Sequence, residues 1–97
     1  MHCRTEILNQ LEQHRAEIVQ RFKVKYLALF GSAARDELRE NSDIDVLVTF
    51  DSPTFSVYLE LKRYLEDLLH RKIDLVTETG LKPRARIAVQ KDLIRVA

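Results

Sequence analysis

Asp43-Ile44-Asp45-Val46-Leu47-Val48-Thr49-Phe50 combines a β-branched centre with aspartate at its first and third positions. β-Branched residues fit a pleated, packed surface, so the stretch predicts a strand. Period two then sends Ile44, Val46, Val48 and Phe50 to one face and Asp43, Asp45, Leu47 and Thr49 to the other. Two carboxylates on one strand face repel each other and call for a compensating cation.

Just upstream, Lys25-Tyr26-Leu27-Ala28-Leu29-Phe30 is a short apolar run closed by Gly31-Ser32. It predicts a buried strand that hands over to a short helix through Ala33-Ala34-Arg35-Asp36-Glu37-Leu38. Before it, Ile7, Leu8, Leu11, Ile18, Val19 and Phe22 recur at helical spacing, with His14 in the same stripe. One helix over about residues 5–22 is predicted, with His14 as half-buried surface. Downstream, Asp51-Ser52-Pro53-Thr54 carries turn and helix-start chemistry. A helix to about His70 follows, with an apolar stripe of Phe55, Tyr58, Leu59, Leu61, Leu65, Leu68 and Leu69. His70, Arg71 and Lys72 suit the negative pole at its end. Ile73-Asp74-Leu75-Val76-Thr77 predicts another strand. Gly80 and Pro83 mark a turn. Arg84 to about Asp92, with Ile87 facing inward, predicts a last helix, and Leu93-Ile94-Arg95-Val96 a short closing strand. This alternation predicts an α/β fold, a mixed sheet with flanking helices.

Composition bounds the function. The 97 residues are 45% hydrophobic and 32% charged, which fits an ordinary globular chain and excludes a disordered one. There is room for one core and no second lobe. No apolar run is long enough to span a membrane, and the N-terminus has no signal-peptide pattern. The single cysteine, Cys3, excludes an internal disulfide and a Cys-rich zinc site, so a cytoplasmic location is expected. Sixteen basic and 15 acidic residues leave a net charge of +1, which argues against direct nucleic-acid binding. Balanced charge also gives little protection against self-association, so a partner or a homo-oligomer is expected.

Taken singly, the polar features have plain readings. Gly31-Ser32 makes a turn with a helix cap, Asp43 terminates a strand, and Asp74 is a strand-edge charge. Together they describe a hard-oxygen site. Three carboxylates without Cys or His suit Mg²⁺, or Mn²⁺ as an alternative, rather than zinc. Gly31 lets backbone approach a phosphate, and the Ser32 hydroxyl can donate to its oxygens. A phosphate cradle beside a carboxylate cage is what nucleotide chemistry needs.

Gly31-Ser32, ten residues, then Asp43-x-Asp45, with Asp74 on a later strand, resembles the DNA polymerase beta-like nucleotidyltransferase superfamily. Average residue usage makes the four-position match a coincidence in about one chain in a thousand of this length. Phe30-Gly31-Ser32-Ala33-Ala34-Arg35, Ser42-Asp43-Ile44-Asp45-Val46-Leu47-Val48 and Arg71-Lys72-Ile73-Asp74-Leu75-Val76 resemble its minimal nucleotidyltransferases. Many of these are antitoxins paired with HEPN-domain ribonuclease toxins. One departure is Asp36, where relatives often carry Gly.

The resemblance implies a single polymerase beta-like nucleotidyltransferase domain over residues 1–97. It implies that Asp43, Asp45 and Asp74 ligate two Mg²⁺ ions and act in catalysis, and that Gly31 and Ser32 hold ATP. Arg35 would meet phosphate charge, and Ser42 would order the turn before Asp43 or touch the nucleotide. The implied reaction moves AMP from ATP to a tyrosine of a cognate HEPN toxin. The alternative is a non-catalytic antitoxin that neutralises its toxin by complex formation alone. A transferase acting on a small molecule or an RNA end is a third reading, disfavoured because there is no room for a second substrate domain.

Overall fold

Apolar alternation in the strand segments sets how they stack. In the computed structural model, residues 3–78 and 91–97 are described. The elements are α1 (Arg4–Gln13), α2 (Arg15–Phe22), β1 (Val24–Phe30), α3 (Gly31–Ala34), β2 (Ile44–Phe50), α4 (Phe55–Leu69), β3 (Ile73–Thr77) and β4 (Ile94–Arg95). The sheet order is β3-β2-β1-β4. β1 pairs antiparallel with β2 and β4, while β2 and β3 run parallel, joined by the α4 crossover. The sheet is therefore mixed, with flanking helices.

Register shows which face is core. Leu27 and Leu29 lie opposite Val48 and Val46, and Ile44 and Val46 lie opposite Ile73 and Leu75. All seven are buried and join one cluster with Ile7, Leu11, Ile18, Phe22, Leu61, Leu65 and Leu69 from the helices. Full burial of each such side chain contributes about 1.5–3 kcal/mol. Asp45 and Asp74 alternate with these residues, so they stand on the face away from the helices.

The expected single helix over 5–22 is two helices that meet at His14. His14 leaves the helical region at φ −105°, ψ 7°. Its ring nitrogen Nδ1 lies 2.9 Å from the Gln10 carbonyl oxygen, which its own N–H also approaches at 3.3 Å. Side chain and backbone converge on one carbonyl, and the chain turns there. Leu11 and Ile18, about two turns apart, remain on the buried side.

α4 begins where the polar residues predict. Thr54 is its N-cap, and Thr54 Oγ1 accepts a 3.1 Å bond from the Val57 N–H. Leu61, Leu65 and Leu69, spaced by four, form its buried face. The expected apolar stripe is narrower than the composition suggests, with Phe55 77% and Leu59 45% exposed. Leu59 is two residues from Leu61, about 200° round the helix. The helix ends at Leu69, and His70 takes a left-handed φ of 54°. Arg71 and Lys72 thus lie beyond it and do not serve its dipole. The turn at Gly80 and Pro83, and the helix expected from Arg84 with Ile87 facing inward, lie outside the described residues as far as Gln90. No helix among the described residues is long and apolar enough to cross a membrane.

Candidate active site

Three strand ends meet at one level of the sheet. Phe30, the last residue of β1, pairs with Asp45, and Asp45 pairs with Asp74 on the other side. Gly31 follows Phe30 at once and opens α3 with φ +67°, a left-handed conformation that glycine adopts without penalty. A Cβ at that position would run into Asp45 Oδ2 and stand 3.1 Å from Asp45 Cγ. Glycine is therefore required for its backbone angle and for the room it leaves the Asp45 carboxylate. Ser32 is half-buried beside it, while Ala33 and Ala34 are buried and seat α3 on the sheet.

The Asp45 carboxyl is half-buried, and its pKa is pushed up from 3.8 to about 6. Burial is the largest cause. The charge of Asp74, a hydrogen bond with Asp74 and the charge of Asp43 add to it, and Arg35 opposes it. The parallel register thus brings Asp45 and Asp74 into hydrogen-bonding reach across the strands. Asp43 is exposed, one residue ahead of the first residue of β2, and acts on Asp45 through charge. Among the described residues, no three His, Cys, Asp or Glu side chains are grouped to hold a metal ion. The structure joins Asp45 to Asp74 directly and leaves Asp43 at the rim. The donor set still suits a hard divalent cation. It consists of oxygen alone, and a divalent cation between the two neighbouring carboxylates would neutralise charges that otherwise repel.

A nucleotidyltransferase domain family matches residues 11–96. The chain belongs to that family. A protein of Methanocaldococcus jannaschii, provisionally named a protein adenylyltransferase, is 44% identical over 99% of this chain and its own full length. Protein adenylyltransferase MntA of Thermococcus cleftensis is 38% identical, covering 94% of this chain and 93% of its own. A solved structure, provisionally described as a minimal nucleotidyltransferase, is 38% identical and superposes with a TM-score of 0.74, covering 90% of this chain and 93% of that one. An MNT antitoxin in complex with a tri-AMPylated Shewanella oneidensis HEPN toxin gives 0.66 at 20% identity, covering 93% and 71%. At that identity the likeness is one of fold.

The other residues of this nucleotidyltransferase domain lie around the carboxyl pair. The Arg35 guanidinium is exposed and donates to Asp92 at 3.0 Å and Glu37 at 3.2 Å. These hydrogen bonds, Asp92 first, raise its pKa above the ordinary arginine range. Asp36 adopts φ 59°, so this position needs the left-handed region. Its carboxylate turns away from the aspartate pair and accepts a 2.9 Å bond from the Arg4 N–H at the start of α1. Ser42 Oγ accepts from the Arg39 N–H at 3.1 Å, and the Ser42 N–H donates back to the Arg39 carbonyl at 3.0 Å. Ser42 thereby closes the turn that delivers Asp43.

Arg71 takes a part that differs from the helix-end charge expected of it. Its guanidinium donates through Nη2 to three carbonyls, those of Arg39, Glu40 and Ser42. Its place in Arg71-Lys72-Ile73-Asp74, three residues before a site carboxylate, was the available signal. The contact spans 29 to 32 residues of sequence and is visible only in the fold.

Proposed function

We propose that the chain is an Mg²⁺-dependent protein adenylyltransferase. It moves AMP from ATP to a tyrosine hydroxyl of a HEPN-domain toxin and acts as that toxin's antitoxin. The observation that carries this reading is the Asp45–Asp74 pair, held level with Gly31 by strand register. Two relatives with protein adenylyltransferase names, aligned over nearly the whole chain, support it. The AMPylated toxin held by a protein of the same fold supports the choice of partner.

Asp43, Asp45 and Asp74 would hold the divalent ions. When bound, these supply charge neutralisation at the phosphates and a lower pKa at the acceptor hydroxyl. The chain's own groups do the rest. Gly31 has no side chain to obstruct phosphate, and Ser32 places a hydroxyl donor at the start of α3. Arg35 stands at the rim with a cationic fork for phosphate oxygens, steadied by Asp92 and Glu37. The acceptor oxygen attacks the α-phosphorus. A new phosphorus–oxygen bond forms, the bond to the β-phosphate oxygen breaks, pyrophosphate leaves, and the hydroxyl proton passes to solvent. With one small domain, the chain has little surface to grip a polymer. A protein acceptor that brings its own docking surface fits that economy.

The test combines the protein, ATP, Mg²⁺ and a HEPN partner and reads the partner's mass. A gain of one AMP or a multiple is expected, and it should vanish in Asp43→Ala/Asp45→Ala. No gain with the parent protein, or an equal gain with the variant, refutes the catalytic reading. If the variant still binds the toxin and protects cells, neutralisation by complex formation replaces it.

A further inference from the structure

Asp45 and Asp74 sit in the ladder, where strand pairing fixes their backbone. Asp43 lies just outside it, and the backbone N–H of Ile44 is the first group of β2 tied across, to the Lys72 carbonyl at 3.0 Å. The position of Asp43 therefore depends on the segment that precedes it. That segment has one internal clasp, the reciprocal Arg39–Ser42 turn. The Arg71 guanidinium adds a second hold, donating to the carbonyls of Arg39, Glu40 and Ser42, the last at 2.6 Å. Arg71 itself stands three residues before Asp74. One side chain thus links the approach to Asp43 with the approach to Asp74.

Resting on the reading of Asp43 as a divalent-ion ligand, we propose that Arg71 is the positioning residue that sets where Asp43 stands relative to the Asp45–Asp74 pair. Arginine suits this task because Nη2 stands one bond farther from the backbone than a lysine ammonium, and the planar guanidinium fixes the directions of its hydrogens. A lysine ammonium carries the same charge on a flexible stem and falls one bond short of the same carbonyls. Loss of Arg71 frees the 39–42 turn and removes no member of the buried apolar cluster.

The experiment uses the whole chain as Arg71→Lys and Arg71→Ala, with Asp43→Ala and the double variant Asp43→Ala/Arg71→Ala. Mn²⁺ affinity is measured by electron paramagnetic resonance without nucleotide, and amide exchange at Ser42, Asp43 and Ile44 by NMR. Both Arg71 variants should melt close to the parent. Their Ser42 and Asp43 amides should exchange about tenfold faster, and Mn²⁺ should bind about tenfold more weakly, with lysine giving little rescue. In the Asp43→Ala background, the Arg71 change should have no further effect on Mn²⁺, because the two act through one ligand. An unchanged Mn²⁺ affinity, or an equal loss with Asp43 already removed, overturns the proposal. Failure of Arg71→Lys and Arg71→Ala alike to fold overturns it too, in favour of a purely structural role. If the parent protein itself binds no Mn²⁺, the divalent-ion reading under the proposed function has failed, and this one falls with it.

Discussion

Substituting Asp45 by Asn should stabilise the metal-free protein while destroying transfer. The ionised Asp45 carboxylate is costly because it is half-buried and faces Asp74. Its pKa is 3.8 in an exposed chain and about 6 in the fold. Between those values the folded state binds a proton that the unfolded state has lost. Stability from this group is therefore greatest below about pH 4 and falls as pH rises to about 6, beyond which the full cost stands. The shift corresponds to at most about 3 kcal/mol, and solvent screening of a half-exposed group reduces it to about 1–2 kcal/mol. Asparagine keeps the shape and can donate to Asp74 without charge. For a domain of this size, Asp45→Asn should raise the melting temperature by about 5–10 °C at pH 7.5 in EDTA. The gain should shrink toward zero at pH 4. Comparing the two proteins across pH cancels the other titrating groups. Excess Mg²⁺ should raise the parent's melting temperature and leave the variant's unchanged, and AMP transfer by the variant should be lost. Equal or lower stability of Asp45→Asn at pH 7.5, or a gain that persists at pH 4, would refute the electrostatic account of the pair.

Gly31→Ala should cost more than about 2 kcal/mol in chemical denaturation, because the left-handed angle alone costs 1–2 and the new Cβ overlaps Asp45. Its transfer activity should fall with it. At Asp36, glycine should leave the protein about 1 kcal/mol more stable than alanine does, since both lose the bond to the Arg4 N–H but only glycine relieves the backbone. Urea titration of the two variants reads the difference. Arg35→Ala removes exposed ion pairs and should leave the melting temperature nearly unchanged, while AMP transfer measured with labelled ATP falls roughly ten- to a hundredfold.

Period and residue type carried most of the fold. The β-branched run in Val46-Leu47-Val48 and the apolar run ending at Phe30 identify β2 and β1, and the glycine between β1 and α3 stands where the chain needs a left-handed angle. The single helix over 5–22 overreached, because a local pattern does not report its own limits. Apolar spacing of seven from Leu11 to Ile18 is as compatible with two helices bent at His14 as with one straight helix. Period two puts Asp43 on the face of Asp45, and its charge acts there from one residue ahead of the ladder, which begins at Ile44. The partner that meets Asp45 is Asp74, which comes from across the sheet through a parallel register that no local pattern encodes.

Asp36 shows how a departure from the family pattern can leave the local backbone intact. An acid near a triphosphate site reads as unfavourable from sequence, because charge is all that sequence displays. The structure shows two other properties of the position. It needs a left-handed backbone, which Gly adopts freely and Asp tolerates better than most residues. It also lies beside the start of α1, where unpaired N–H groups and the positive end of the helix favour a carboxylate. The acid is therefore directed away from Asp45 and toward α1, and the same residue that ends α3 fastens the first helix to the loop that leads to Asp43. Arg4 strengthens this junction by donating through its guanidinium to the Ala34 carbonyl at 3.1 Å. A substitution that looks electrostatically adverse when read along the chain thus becomes a tether between the N-terminal helix and the edge of the site.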